Sequence, residues 1–229
     1  MPYSHFDENN GHKSFQLPGS RPHYNPDRPG QVEHISLDLT LDLPNQSFAG
    51  SCEIRLNPVR SGIDSLTLDA VNLDIRGVQI DGTSHKFNYD GELLHIPVKV
   101  DVVAGKVLDI VIDYGVDKPQ RGLYFIQPDE HYPNKPTQVW TQGEDEDSRF
   151  WFPCFDYPGQ LATSAIRVQV PKDFMAISNG ELVEQTAYGE DRVYQWMQKE
   201  IHPTYLMTLA VGRFSEIADS WNGKPVTYY

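Results

Sequence analysis

Basic charge is what this 229-residue chain most lacks. Its 19 Lys and Arg stand against 32 Asp and Glu, a formal net charge of −13. Nucleic acid and anionic membrane surfaces need a basic face, so neither is an expected partner. Cysteine is scarce as well. Cys52 and Cys154 allow at most one bridge, and two buried thiols in a reduced compartment are the simpler expectation. No apolar run nears the roughly 18–20 residues of a membrane span. The opening M-P-Y-S-H-F-D-E-N-N has no signal-peptide core, so a cytoplasmic location is expected.

Whole classes of chemistry are missing too. The histidines at 5, 12, 23, 34, 85, 95, 131 and 202 include no short His-x3-His zinc pair, and there is no C-x2-C. Neither a phosphate-binding Gly loop nor a G-x-S-x-G nucleophile elbow occurs. The acidic run Glu144-Asp145-Glu146-Asp147 lacks the alternating ligands and the glycine of a calcium loop. No complete catalytic centre is legible.

Long helices are absent in the same way. No segment keeps an apolar i, i+3, i+4, i+7 stripe, and Pro and Gly at 17 each point to many turns. Residues 1–30 have no apolar period and read as an extended or disordered arm. From Val32 the pattern alternates: Ile35, Leu37, Leu39, Leu41 and Leu43 all face one side of a strand. Phe48, Cys52, Ile54 and Leu56 continue after the turn Pro44-Asn45-Gln46, which makes a hairpin. Further short strands are expected near Leu66–Leu68, Val71–Ile75, Val78–Ile80, Leu93–Val98, Val107–Ile112, Thr137–Thr141, Ile166–Val170, Phe174–Ser178, Arg192–Gln198 and Thr204–Val211. One short turn of helix is expected at Pro158–Thr163. The fold class is all-β, with residues 31–229 as one domain. Pro225-Val226-Thr227-Tyr228-Tyr229 reads as a strand cut in mid-course, so the chain is expected to be a piece of a longer protein.

The stretch from Trp140 to Pro158, W-T-Q-G-E-D-E-D-S-R-F-W-F-P-C-F-D-Y-P, is the least generic part. Acids, one Arg and large aromatics crowd a loop that opens from a short strand. Gln142 and Glu144 fall where the strand ends, a position suited to meeting a ligand. On composition alone a solvated acidic loop closed by an aromatic plug is the favoured account.

Thr141-Gln142-Gly143-Glu144, then Arg149, then Pro153-Cys154-Phe155-Asp156 and Pro158, is similar to the T-Q-x-E…R…F-P-C-F-D-E-P signature of the M1 (gluzincin) zinc aminopeptidases. Gln120-Arg121-Gly122-Leu123-Tyr124 resembles the family's K-G-L-Y segment, and Ser178-Asn179-Gly180 its S-N-G. Thr204-Tyr205-Leu206 with Val211-Gly212-Arg213-Phe214 resembles its S-T-Y-L…V-G-x-F. The resemblance implies a saddle-shaped antiparallel β-sandwich of two sheets, followed by a thermolysin-like catalytic domain. It implies that the zinc and its ligands belong to that following domain, because G-x-M-E-N and H-E-x2-H are absent here. It implies that Gln142 and Glu144 bind substrate, near the free α-amino group of a peptide. Tyr157 stands where the family carries Glu. Relatives that lost the zinc motif and act as scaffolds keep a non-catalytic interaction module open, and a carbohydrate-binding sandwich is a third alternative.

Overall fold

The computed structural model describes residues 28–98 and 102–229, so most of the arm expected at 1–30 lies outside the described residues. The described residues form seventeen strands in four sheets. In chain order they begin with β1 (Gly30–Asp42), β2 (Ser47–Pro58), β3 (Ser65–Asp69), β4 (Asp74–Ile80), β5 (Thr83–Ser84) and β6 (Asn88–Tyr89). There follow β7 (Leu93–Pro97), β8 (Leu108–Asp117), β9 (Leu123–Ile126), β10 (Gln138–Thr141) and β11 (Leu161–Pro171). The last are β12 (Met175–Ser178), β13 (Glu181–Tyr188), β14 (Asp191–Pro203), β15 (Leu209–Gly212), β16 (Ile217–Trp221) and β17 (Lys224–Tyr228).

One sheet carries eight strands in the order β13-β14-β11-β1-β2-β8-β4-β5. Period-2 alternation explains its central strands. On β1, Ile35, Leu37, Leu39 and Leu41 are buried while Asp38, Thr40 and Asp42 are exposed. On β8, Leu108, Ile110, Ile112 and Tyr114 point to the same interior. Two smaller sheets, β12-β15-β10-β9 and β3-β7-β6, make the second layer. Leu66 and Leu68 of β3, Leu94 and Ile96 of β7, Val139 of β10 and Val211 of β15 join the large sheet's inward residues in one buried cluster. Apolar burial of this extent, at about 25 cal/mol per Å², is the main force holding the two layers together. The hairpin β16–β17 forms its own two-stranded sheet.

Three expectations need correction. The sandwich is not wholly antiparallel: β1 and β11 pair in parallel, from His34↔Thr163 to Thr40↔Gln169. A parallel neighbour needs a long crossover, and the chain between β2 and β11 supplies one by building the smaller sheets on its way back. No helical turn forms at Pro158–Thr163, because β11 starts at Leu161 and claims those backbone groups for pairing. Short 3-10 turns occur instead at Ser148–Phe150 and Thr204–Leu206, the second displacing the first residues of the strand expected at 204–211. Strands β13 and β16 carry no alternating burial and were not legible. Among the described residues no helix is long and apolar enough to cross a membrane.

Two half-buried histidines tie β11 to its neighbours on either side. His34 Nδ1 lies 2.7 Å from Thr163 Oγ1, and His202 Nε2 lies 2.9 Å from Ser164 Oγ. Burial holds both imidazoles below their ordinary value, the Pro203 carbonyl opposing this at His202 and the Glu53 carboxylate at His34. A histidine lowered in the folded state binds protons more readily when unfolded. Its contribution is therefore present above the unfolded value of 6.5 and is lost as pH falls through it. Urea titrations at pH 7.5 and 5.5 should show lower stability at 5.5, and the double variant His34→Gln, His202→Gln should flatten that difference. An unchanged difference in the double variant would assign the pH dependence to other groups.

Candidate functional site

Strand β10 places the first residues of the site. Val139 is buried and Trp140 faces outward, as alternation requires. The ladder with β9 continues one residue past the strand, where the Gln142 N–H donates to the Gly122 carbonyl at 2.8 Å. Gln142 and Glu144 are both exposed, as the sequence predicts for residues at a strand's opening. Between them Gly143 runs against the backbone of Tyr205. A Cβ there would come within 2.5 Å of the Tyr205 carbonyl oxygen, so only glycine passes this point without displacing the 204–206 turn. The Gly143 carbonyl then accepts from the Asp147 N–H at 2.9 Å, which closes the loop.

The four consecutive acids divide into two pairs with different surroundings. Asp147 meets the Arg121 guanidinium at 2.7 Å, and Arg121 in turn lies over the Phe150 ring at 4.7 Å. Glu146 accepts from Arg149 at 2.8 Å. Glu144 and Asp145, joined by a cis peptide bond, have no side-chain partner among the described residues. Arg149 anchors the loop from below. Its guanidinium reaches Asp69 at 3.2 Å, Asp156 Oδ2 at 3.1 Å and the Asp156 carbonyl at 2.8 Å. Asp156 also accepts from the Arg149 N–H at 3.0 Å and from Thr204 Oγ1 at 2.8 Å.

The electrostatics follow from this geometry. Burial pushes the Asp156 carboxyl above its ordinary range, and the hydrogen bonds from Arg149 and Thr204 pull it back only in part. For Arg149 burial works against the charge, yet Asp69, Asp156 and Glu146 together hold the guanidinium above its ordinary value. The aromatic plug is packing: Trp151, Phe152 and Phe155 are buried, and Tyr157 is covered by Arg28 at 5.2 Å. Cys154 is fully buried, and burial pushes its thiol well up, so it is no nucleophile. Cys52 and Cys154 are unbridged, and the Cys52 thiol donates to the Pro153 carbonyl at 3.4 Å.

Among the described residues no three His, Cys, Asp or Glu side chains converge as metal ligands. Among the described residues, neither Gln142 nor Glu144 lines any of five surface clefts of about 200–480 Å³. The two residues stand on an open edge. Such an edge can hold one end of a ligand but cannot enclose it.

Residues 21–206 match the family described as Peptidase M1 N-terminal domain. The chain belongs to that family. This M1 N-terminal domain is 31% identical over 185 residues to probable aminopeptidase 1 of Saccharolobus solfataricus, covering 80% of this chain and 22% of the relative. It is 32% identical over 121 residues to transcription initiation factor TFIID subunit 2 of Danio rerio, covering 51% of this chain and 10% of that protein. Its fold matches a crystal structure of a mutant M1 zinc metallopeptidase from Deinococcus radiodurans bound to a Tyr-Ser-Ala substrate. There the TM-score is 0.72 at 19% identity, over 87% of this chain and 47% of the other. The M1 N-terminal domain thus spans about a fifth of the aminopeptidase relative's length.

Sequence reasoning expected Gln142 and Glu144 at the opening of a strand, and both are exposed there. It did not find Arg121 as the partner of Asp147, nor Tyr124, whose ring stacks on Trp140 at 4.7 Å. Both are long-range neighbours brought close by the β9–β10 register, and a careful alternation along the two strands would have suggested the second.

Anchor and exposed acid should respond differently to substitution. Arg149→Met leaves Asp156 buried without its cation and should lower the chain's unfolding free energy by about 3–5 kcal/mol. Glu144→Gln should change it by no more than about 0.5 kcal/mol. Urea unfolding followed by tryptophan fluorescence reads both, and equal effects would refute the division.

Proposed function

We propose that this chain is the N-terminal domain of a zinc aminopeptidase and that Gln142 and Glu144 grip the free α-amino group of a peptide substrate. One observation carries the reading. Within a run of four acids on a rigid loop, the carboxylate at the family's signature position is exposed and unpaired, while Glu146 and Asp147 are held by arginines. A carboxylate offers an ammonium a charge-assisted hydrogen bond, and an amide can donate and accept beside it. Neither group breaks a bond. Both orient the substrate, which converts binding energy into correct placement of the scissile amide.

On this reading the zinc and its ligands lie in a following thermolysin-like domain of the same protein, and metal-assisted peptide hydrolysis takes place there. The 229-residue chain alone should fold but not hydrolyse peptides. A cytoplasmic, soluble parent fits the net charge of −13. The likeness to the metallopeptidase solved with a Tyr-Ser-Ala substrate supports peptide as the ligand class.

A second reading is favoured by the likeness to the transcription initiation factor subunit: a scaffold with this fold and no catalysis. The unpaired Glu144 favours the enzyme, since a scaffold has no need to read an α-amine. Absence of H-E-x2-H from the gene beyond Tyr229 would decide for the scaffold.

In the full-length protein, Glu144→Ala should lower kcat/KM on free-amine peptides by about 10- to 150-fold, the equivalent of a hydrogen bond to a charged group worth about 1.5–3 kcal/mol. Zinc content should stay normal. Unchanged kcat/KM in Glu144→Ala would place the recognition carboxylate elsewhere.

A further inference from the structure

Strand β14 ends a row of interior side chains on an arginine. Trp196, Tyr194 and Arg192 alternate, so they share one side of the strand. The first two reach the chain at and just before β12. Trp196 Nε1 donates to the Ala176 carbonyl at 3.0 Å, and the Tyr194 hydroxyl donates to the Phe174 carbonyl at 3.3 Å. Arg192 comes next, where a cleft opens between the two layers, and its guanidinium donates to the Tyr194 hydroxyl at 3.4 Å. Among the described residues it pairs with no carboxylate. Arg55, Arg76, Arg121, Arg149 and Arg167 each have one at 3.2 Å or closer.

A second arginine borders the same cleft where the chain leaves β15. The Arg213 guanidinium lies over the Phe174 ring at 4.9 Å, and the Phe214 ring folds back onto Gly212. A Cβ at Gly212 would meet that ring at 2.7 Å, so glycine here lets Phe214 close the wall. One acid, Asp173, lines the cleft, 3.9 Å from Arg213, with 67% and 68% of the two side chains exposed. An exposed pair at that distance neutralises little. Two guanidiniums therefore keep most of their charge at a cleft of about 200 Å³ walled by two phenyl rings. The chain as a whole carries −13 and repels anions, so whatever anion binds here is held by these contacts.

We propose that the cleft between Arg192 and Arg213 binds a carboxylate carried on an apolar body, a small aromatic acid or the free C-terminal residue of a peptide. A planar carboxylate matches the guanidinium fork, which favours it over a bare point charge. Phe174 and Phe214 call for an apolar body beside that carboxylate, which inorganic phosphate does not bring. The volume of about 200 Å³ is below the ~300 Å³ of ordinary ligand clefts, so one end group fits and a nucleotide does not. On the four-stranded sheet Trp140 stands opposite Ala210 and Val139 opposite Val211, which puts Gly212 and Gln142 toward opposite ends. The cleft uses neither Gln142 nor Glu144, and its occupancy is independent of the amine reading. The rival occupant is a carboxylate of the rest of the parent protein.

The test is isothermal titration of the 229-residue chain and of the full-length protein with 3-phenylpropanoate and with the peptide Gly-Gly-Gly-Phe. At least one of the two should bind both proteins with Kd of about 1 mM or tighter, the affinity expected of so small a ligand. The one that binds more tightly identifies the source of the carboxylate. The amides of both probes, which lack the charge, should bind about tenfold more weakly or not at all. Arg192→Gln and Arg213→Gln alter side chains at the mouth of the cleft, and each should weaken the acid about tenfold. Amides that bind as well as acids overturn the proposal, as does an unchanged Kd in either arginine variant. Inorganic phosphate binding as tightly as both acids would show a plain anion patch and overturn it too. Binding seen in the 229-residue chain but lost in the full-length protein would give the cleft to the rest of the parent and equally overturn it.

Discussion

Arg149 is the side chain on which the arrangement of the site depends. One guanidinium reaches Asp69 at the end of β3, Glu146 in the acidic loop and Asp156 just before β11. Asp156 passes the connection to Thr204 and so to the turn that Gly143 packs against. Backbone bonds reinforce the junction: Asp69 and Cys154 exchange N–H to carbonyl bonds at 2.8 and 3.0 Å, and the Val71 N–H donates to the Arg149 carbonyl at 2.8 Å. Exposed ion pairs contribute little, but this one is partly buried, with Asp156 fully so, and removing one partner would strand a charge. The segment 149–156 thereby bridges the two smaller sheets, and the loop above it inherits their rigidity.

That rigidity determines what each acid can do. Glu146 and Asp147 are used up internally, because Arg149 and Arg121 sit within reach of them. Glu144 and Asp145 lie at the crest of the loop, beyond both arginines. A run that looks uniform in sequence is in fact two structural acids and two available ones. The distinction matters for any ligand, since a carboxylate already bonded to a guanidinium has less to offer an ammonium.

Much of the fold could be read from the chain. The leucines of β1 alternate so regularly that strand, facing and hairpin all follow, and each of them is buried as expected. The β13 strand could not be read, because all its residues are exposed and its place at the sheet edge comes only from backbone pairing with β14. The parallel β1–β11 pair was hidden for a related reason: it depends on where the chain returns after the 118 residues from 43 to 160, which no local pattern records. At the site the signature residues were legible by resemblance, and their exposure by their place after a strand. The arginine ties were only half legible. Asp156 is seven residues from Arg149, but Asp69 is 80 residues away and Arg121 is 26 residues from Asp147.

An open edge is an unusual place for a binding group, and the isolated geometry gives a reason for it. A carboxylate within a deep apolar cleft is costly to keep ionised and would need a permanent counter-ion of its own. At an exposed crest Glu144 stays hydrated until a second surface and a charged ligand arrive together. The desolvation cost is then incurred only when an ammonium is there to offset it. With Gly143 packed against Tyr205 and the Gly143 carbonyl bonded to the Asp147 N–H, the loop that carries the acid needs little reordering at that moment. On the proposed reading, the domain contributes half a cleft whose charged element is rigid in advance and whose closure depends on the partner surface.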